Sequence, residues 1–274
     1  MNDVCLSGTV TDNRHLCGDY HRLEVGRLDR AIPPPDPGRF LMLRVSAGTD
    51  PLLRRPFGIH DFAPAADGSA RLAILYRVCG RGTSLMTRLR TGDRADILGP
   101  LGRGFDLSLA GEGRAVILGG GIGAAPLLYL ARRLVARGIR PHVFLGGGCG
   151  TDVLGLEAFR ELGLEVAEAT MDGSLGFRGT VLDAFLRSGR ADGGVGALYV
   201  CGPWPMMART ADLCRERGWR MEGAVEARMA CGMGLCLGCA VQGAPAAPER
   251  YRMVCRDGPV FSLEDLAWTN PDSA

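Results

Sequence analysis

No lysine occurs in the 274 residues of this chain; all 32 basic side chains are arginine. Chemistry that needs a lysine amine, as in a Schiff base or a P-loop, is therefore excluded. A surplus of one charge is also missing, because 32 Arg face 30 Asp and Glu and leave a formal charge of +2. Nucleic-acid binding starts from a basic footprint, and the composition supplies none. The opening MNDVCLSGTV lacks a basic stretch followed by an apolar core, so no secretory leader is expected. The uncharged stretch Ala115–Ala131 is short for a membrane span and is broken by glycines and a central proline. A buried strand, a glycine turn and a helix account for it better.

Hydrophobic residues, at 46%, are enough to fill more than one core. Ten cysteines in a chain with no expected leader point to a reducing compartment, the cytoplasm, where grouped thiols serve first as metal ligands.

Three parts can be distinguished. Residues 1–108 alternate short apolar runs, such as Arg39–Val45, Arg71–Val78 and Asp93–Leu98, with turn signals; Pro33–Gly38 reads as a loop. Short strands at this spacing predict an N-terminal antiparallel β-barrel. Residues 109–220 open with a linker at Leu109–Gly113 and then change character. Strand-like AVILG, PHVFL, Leu164–Ala169 and ALYVCG alternate with helix-like Ala125–Arg137, Gly155–Leu162, Thr180–Arg187 and Pro205–Arg217. That alternation predicts a doubly wound parallel sheet. Residues 221–274 are rich in Gly, Ala and Pro and too few to bury a large core alone, so a metal centre is expected to staple a small third domain. The fold class is multidomain, β plus α/β.

Cys231, Cys236 and Cys239 read C-x4-C-x2-C, and Cys255 follows after fifteen residues. This is the plant-type ferredoxin spacing, in which a loop wraps four thiolates around a [2Fe–2S] cluster. Gly232, Gly234 and Gly238 let the backbone come close and aim N–H groups at sulfur. The alternative is zinc, which usually pairs two C-x2-C units or recruits histidine; the sequence offers neither nearby. Cys5, Cys17, Cys79, Cys149, Cys201 and Cys214 are scattered and are expected to be small buried hydrophobes. Cys201 is a partial exception, treated next.

Gly119, Gly121 and Ala124 fit G-x-G-x-x-A between the apolar run AVIL and a helix, with Gly123 inside the same turn and Pro126 in the first helical turn. Such a turn admits a pyrophosphate at a helix N-terminus, although a plain strand–helix turn looks similar. The acidic residue expected about twenty positions later is not obvious, and no arginine in Gly146–Gly150 awaits a 2′-phosphate, which favours NAD over NADP. Cys201, Gly202 and Pro203 end a strand and would border the nicotinamide, or simply turn the chain. Arg55, Pro56, Phe57 and Gly58 offer a phosphate partner and an extended edge for a flavin. Leu75, Tyr76 and Arg77 add an aromatic platform and a charge; Gly82 and Thr83 open a helix-like segment, Ser84–Leu89, whose N–H groups could hold the flavin pyrophosphate. Taken singly, each is as well read as a turn or a solvated face.

Together these motifs resemble the electron-transfer subunits of B-type dihydroorotate dehydrogenases, within the ferredoxin–NADP reductase superfamily. RRPFGI, LYRVCGRGT, GPLGRGF, GGGIGAAPL, MDGSLGFRG and YVCGPWPMM match in order, and EARMACGMGLCLGCAV with CRDGPVF matches most sharply. The resemblance implies FAD at Arg55–Gly58, Leu75–Arg77 and Gly82–Thr83, the cluster on the four cysteines, and NAD as co-substrate. It implies an FMN-bearing catalytic partner in a two-plus-two heterotetramer serving pyrimidine biosynthesis. Electrons would pass from that FMN to the cluster, to FAD and, as hydride, to NAD. The chemistry belongs to the cofactors, so no catalytic side chain is assigned. Met229, Met233 and Leu235 either form the docking face or only cover the cluster. Gly58 departs from the family, which carries a hydroxyl residue there, close to the flavin N5. Competing readings are a subunit of an NADH-dependent ferredoxin reductase or sulfur-reducing hydrogenase, a stand-alone diaphorase, and a zinc-stapled binding protein.

Overall fold

The computed structural model describes residues 5–64, 69–111 and 113–269. Its first sheet holds seven antiparallel strands: β1 (Cys5–Cys17), β2 (Tyr20–Gly26), β3 (Phe40–Leu43), β4 (Arg55–Gly58), β5 (Asp61–Pro64), β6 (Ala70–Arg77) and β7 (Arg94–Leu101). Their order is β4-β3-β7-β1-β2-β6-β5. The two ends of that order are one bent segment. The Ile59 N–H donates to the Arg39 carbonyl and the next N–H, of His60, to the Ala73 carbonyl. The chain thus leaves the β3 side and joins β6, which closes the sheet on itself. Period-two alternation fills the inside, where Leu6 and Val10 meet Leu23, Leu41 and Ile74. The helix expected from Ser84 begins earlier, as α1 (Arg81–Met86). The Thr83 hydroxyl accepts the N–H groups of Cys79 and Gly80 and ties down the turn that precedes it.

The second sheet contains the parallel strands β8 (Arg114–Gly120), β9 (His142–Gly147), β10 (Val166–Thr170), β11 (Phe177–Arg178), β12 (Val195–Cys201) and β13 (Arg220–Ala224). Its order, β11-β10-β9-β8-β12-β13, reverses direction between β8 and β12. Both faces are apolar because helices cover both. Ile117, Leu145 and Tyr199 face α2 (Leu127–Val135) and α3 (Leu156–Glu161). Val116, Phe144 and Leu198 face α4 (Val181–Arg187) and α5 (Trp204–Arg217). The doubly wound arrangement follows from that alternation. The helix read from Ala125 starts at Leu127, because Gly121–Ala124 form a 3-10 turn and Pro126 caps the helix rather than sitting inside it.

The C-terminal part adds a hairpin of β14 (Ala240–Gln242) and β15 (Tyr251–Met253), the short α6 (Val254–Asp257) and β16 (Val260–Ser262). β16 runs antiparallel to β13, with Gly223 opposite Phe261. This part is therefore stitched to the second sheet by a strand at each end. Its interior is shared: Val241, Met253, Val254 and Leu266 lie in one apolar cluster with Met42 and Leu101 of the barrel and Val200 of the sheet. Burying side chains of this size contributes about 1.5–3 kcal/mol each, so that shared core supplies what the short tail could not assemble alone. No helix among the described residues is long and apolar enough to cross a membrane.

Candidate functional site

The four spaced cysteines meet in one loop region, as two pairs. The Cys239 and Cys255 sulfurs, both buried, lie 3.3 Å apart. Cys231 and the exposed Cys236 form the second pair, joined by a hydrogen bond between them. Backbone N–H groups point at the sulfurs: Gly234 to Cys255 at 3.0 Å and Met233 to Cys231 at 3.4 Å. Gly234 needs its left-handed φ of 78° to do so. The Met233 N–H draws the Cys231 thiol down to about 6, with help from Cys236 and Leu235. Burial, then the neighbouring Cys239, pushes Cys255 up to about 12. Two buried thiols in contact, one of them strongly resisting ionisation, suit a site where cationic metal supplies the missing positive charge. Among the described residues no three His, Cys, Asp or Glu side chains converge on a single ion position. A two-iron cluster takes two thiolates on each iron, and the paired donor set fits it.

This loop rests on the barrel. A side chain at Gly232 would strike Met42 of β3, and β3 pairs directly with β4. The cysteines and the Arg55–Gly58 motif are thus separated by one strand. Arg55 lies over Gly82, where an added Cβ would sit 2.8 Å from its Nε. The structure brings together Arg55, Gly82 and Thr83 at one end of β4 and sets Gly58, at the other, against Pro126 of the glycine turn. His60 reinforces that contact by donating from Nδ1 to the Ala125 carbonyl at 2.7 Å; burial lowers its pKa and keeps the ring neutral.

Two expectations need correction. Tyr76 is no exposed platform. Its ring lies inside the barrel, stacked on His21 with centroids 5.3 Å apart, and its hydroxyl donates to Asn13. Strand alternation sends Leu75 and Arg77 outward instead, toward the second sheet. Nor are the six scattered cysteines all interior. Cys201 and Cys214 are buried, but Cys5 and Cys79 are exposed and Cys17 and Cys149 half-buried. Cys5 points outward because Leu6 takes the inward position, and Cys79 sits in the turn before α1.

A cleft of about 650 Å³ opens at the carboxyl ends of β8, β9 and β12. Ligands of doubly wound sheets bind at such a switch point. Gly121, Gly123, Cys201, Gly202 and Pro203 all line it. Gly119 does not; a side chain there would strike Leu145, so this glycine serves packing beneath the floor. Gly123 lies directly on the Cys201–Gly202 backbone and leaves no room for a Cβ. Burial, with Glu226 nearby, raises the Cys201 thiol well above its ordinary range and keeps it neutral.

Among the lining residues that sequence reading missed are Tyr20, Asp152, Arg209 and Glu226. Tyr20 donates to Asp152 at 3.0 Å across the seam between barrel and sheet; burial, then that carboxylate, raises Tyr20 to about 12. Nothing local marks Tyr20 or Asp152, since their pairing spans more than a hundred residues. Glu226 did leave a signal: it is an acid two residues past the apolar end of a parallel strand. Around the cysteine loop, Leu235 and Met233 are 77% and 45% exposed and Leu237, also missed, 62%, whereas Met229 packs into the core.

Comparison with known proteins agrees with these features. Residues 226–267 match the family model for the iron-sulfur cluster binding domain of dihydroorotate dehydrogenase B. The solved structure of an NADH-dependent reduced ferredoxin-NADP oxidoreductase superposes with a TM-score of 0.78 at 24% identity, over 95% of this chain and 90% of the other. A ferredoxin NADP+ reductase from Neisseria gonorrhoeae with bound FAD and NADP gives a TM-score of 0.61 at 15% identity, over 79% and 93% of the two chains. Both share the fold. A "Dihydroorotate dehydrogenase B (NAD(+)), electron transfer subunit" of Shouchella clausii is 40% identical over 94% of this chain and 96% of its own length. Its counterpart in Desulforamulus reducens is 39% identical over 85% and 87%. With the thiol loop, the barrel and the cleft each present along a nearly full-length match, the chain belongs to the family of dihydroorotate dehydrogenase B (NAD(+)) electron transfer subunits.

Proposed function

We propose that this chain passes electrons from the FMN of a dihydroorotate dehydrogenase catalytic subunit to NAD+, in pyrimidine biosynthesis. The observation that carries the reading is the paired-thiol loop seated one strand away from the Arg55–Gly58 edge. Cys231 and Cys236 would hold one iron of a [2Fe–2S] cluster, and Cys239 and Cys255 the other. When bound, the cluster and FAD would supply one-electron and two-electron exchange respectively.

The chain's own residues do the rest. Arg55 and the backbone at Gly82–Thr83 meet the FAD phosphates, and Pro56, Phe57 and Gly58 with the main chain of Leu75–Arg77 border the flavin. Gly121 and Gly123 admit the NAD pyrophosphate, with Cys201, Gly202 and Pro203 beside the nicotinamide. The Gly234 and Met233 N–H groups stabilise negative charge on sulfur and so tune the cluster potential. Residues 1–108 would then be the FAD domain, 109–220 the NAD domain and 221–274 the cluster domain. Met233, Leu235 and Leu237 would meet the catalytic subunit in a two-plus-two heterotetramer in the cytoplasm.

The test is the absorption spectrum of protein purified without air, with iron and flavin assayed. About two irons and one FAD per chain, as this donor set requires, and bleaching of both chromophores by NADH, support the proposal. A colourless protein containing zinc overturns it.

A further inference from the structure

Met42 occupies the ground between the cysteine loop and the Arg55–Gly58 edge. Strand alternation divides β3 between two interiors. Leu41 and Leu43 point into the barrel, whereas Phe40 and Met42 point outward, into the apolar cluster that also holds Cys239 and Cys255. Met42 is fully buried there. Its side chain packs against the cysteine loop: a Cβ at Gly232, the residue after Cys231, would sit 2.8 Å from the Met42 Cγ and 3.2 Å from its Sδ. The missing Cβ lets the thioether close on the loop that carries Cys231.

The same side chain borders the other motif. Met42 is the register partner of Pro56 on β4, which stands at the end of the sheet order. Opposed residues of an antiparallel pair project to one face, about 5 Å apart at Cβ. Phe57, opposite Leu41, turns toward the barrel interior, so Pro56 and Gly58 form the outer face of that edge, with Met42 beside Pro56. Leu101 provides a contrast. Its Cδ1 comes within 3.4 Å of the same Gly232 position, but it lies on β7, on the far side of β3 from β4.

We propose that Met42 is the packed bridge across which electrons pass between the cluster and the flavin. The inference rests on the reading of the cysteine loop and the Arg55–Gly58 edge as cofactor sites. One electron leaves one cofactor and arrives on the other. The thioether is neither oxidised nor reduced, and no bond or proton changes at Met42. What the side chain supplies is continuous matter. A void in a dense interior takes away the partner atoms on one side, and the coupling of a tunnelling electron decays more steeply across such a void than through packed atoms. Side-chain volume, rather than sulfur chemistry, is therefore the property that counts.

The test uses the full-length holoprotein without air. A laser flash on added deazaflavin delivers one electron to the flavin, and the bleaching of cluster absorbance as the flavin is reoxidised gives the transfer rate. Potentiometric titration gives both midpoint potentials for each variant. The expected result for Met42→Ala is a rate about tenfold lower, from the void it opens, with both potentials unchanged. Met42→Leu, which refills the volume, should stay within about twofold of the wild type. Leu101→Ala loosens the packing under the same loop away from the flavin edge and should also stay within about twofold. Should Met42→Ala lose its iron, Met42→Val, which opens a smaller gap, makes the same comparison. A wild-type rate in the shortened variant overturns the inference. Equal slowing in Leu101→Ala does so too, by making both side chains mere supports of the loop, as does a shift of either potential large enough to account for the slowing. Absence of flavin and iron from the wild type would instead overturn the functional reading, and this inference with it.

Discussion

Glu222 permits a quantitative prediction about stability. It lies on β13 with 1% of its surface exposed. One carboxylate oxygen accepts the Asp106 N–H at 2.7 Å, and the other is 3.5 Å from Arg103, which also reaches Asp265. These contacts join the barrel's exit, the parallel sheet and the C-terminal part. They do not offset desolvation: burial, partly opposed by Asp106 N–H and Arg103, raises the Glu222 carboxyl from 4.5 to about 7. The folded state therefore holds a proton that the unfolded state has released between those two pH values. Stability falls as pH rises through that window, and the loss is complete above pH 7. At about 1.4 kcal/mol per pH unit, the penalty at alkaline pH is roughly 3 kcal/mol. Glu222→Gln removes the ionisation and keeps an oxygen for the Asp106 N–H. Thermal unfolding followed from pH 5 to pH 9 should show the variant matching the wild type at the acid end. At pH 8.5 it should melt higher, by roughly 5–10 °C for a chain of this size. Parallel curves for the two proteins across the whole range would refute the reasoning.

Other perturbations test the site. Cys255→Ser should abolish the iron content and visible iron–sulfur absorbance, while Cys214→Ala, in the buried face of α5, should keep both; iron retained in Cys255→Ser would contradict the ligand set. Gly123→Ala forces a Cβ into the Cys201 carbonyl, so NADH affinity should fall by at least about tenfold with the far-ultraviolet circular dichroism unchanged. Gly58→Ser places its Cβ 3.5 Å from Pro126, an ordinary contact, so the side chain fits and should accelerate flavin reduction by NADH. Stopped-flow rates equal to those of the wild type would show that a hydroxyl at this position is dispensable.

Local chemistry wrote much of this protein into its sequence. Spacing singled out four cysteines that the fold brings together, because a loop that wraps a cluster must supply thiols at short fixed intervals. Period-two and period-3.6 patterns separated barrel from parallel sheet, because each element must hide one or two apolar faces. The glycine turn was legible for the same reason, as a strand, a tight bend and a helix in succession. Side-chain direction inside those elements was less accessible. Tyr76 sits in a motif suited to a platform, and only the closing of the barrel turned its ring inward against His21. Gly119 fits the nucleotide pattern, yet contact with Leu145 makes it a packing residue.

The sequence by itself determined the element types, the order of the parts and the grouping of four cysteines, all consequences of spacing along one chain. Only the tertiary structure decided which distant groups meet. It set Tyr20 against Asp152, seated the cysteine loop on β3, returned β16 to the parallel sheet, buried Glu222 and brought Glu226 to the cleft. Those outcomes depend on packing between elements far apart in the chain, and no local pattern encodes them.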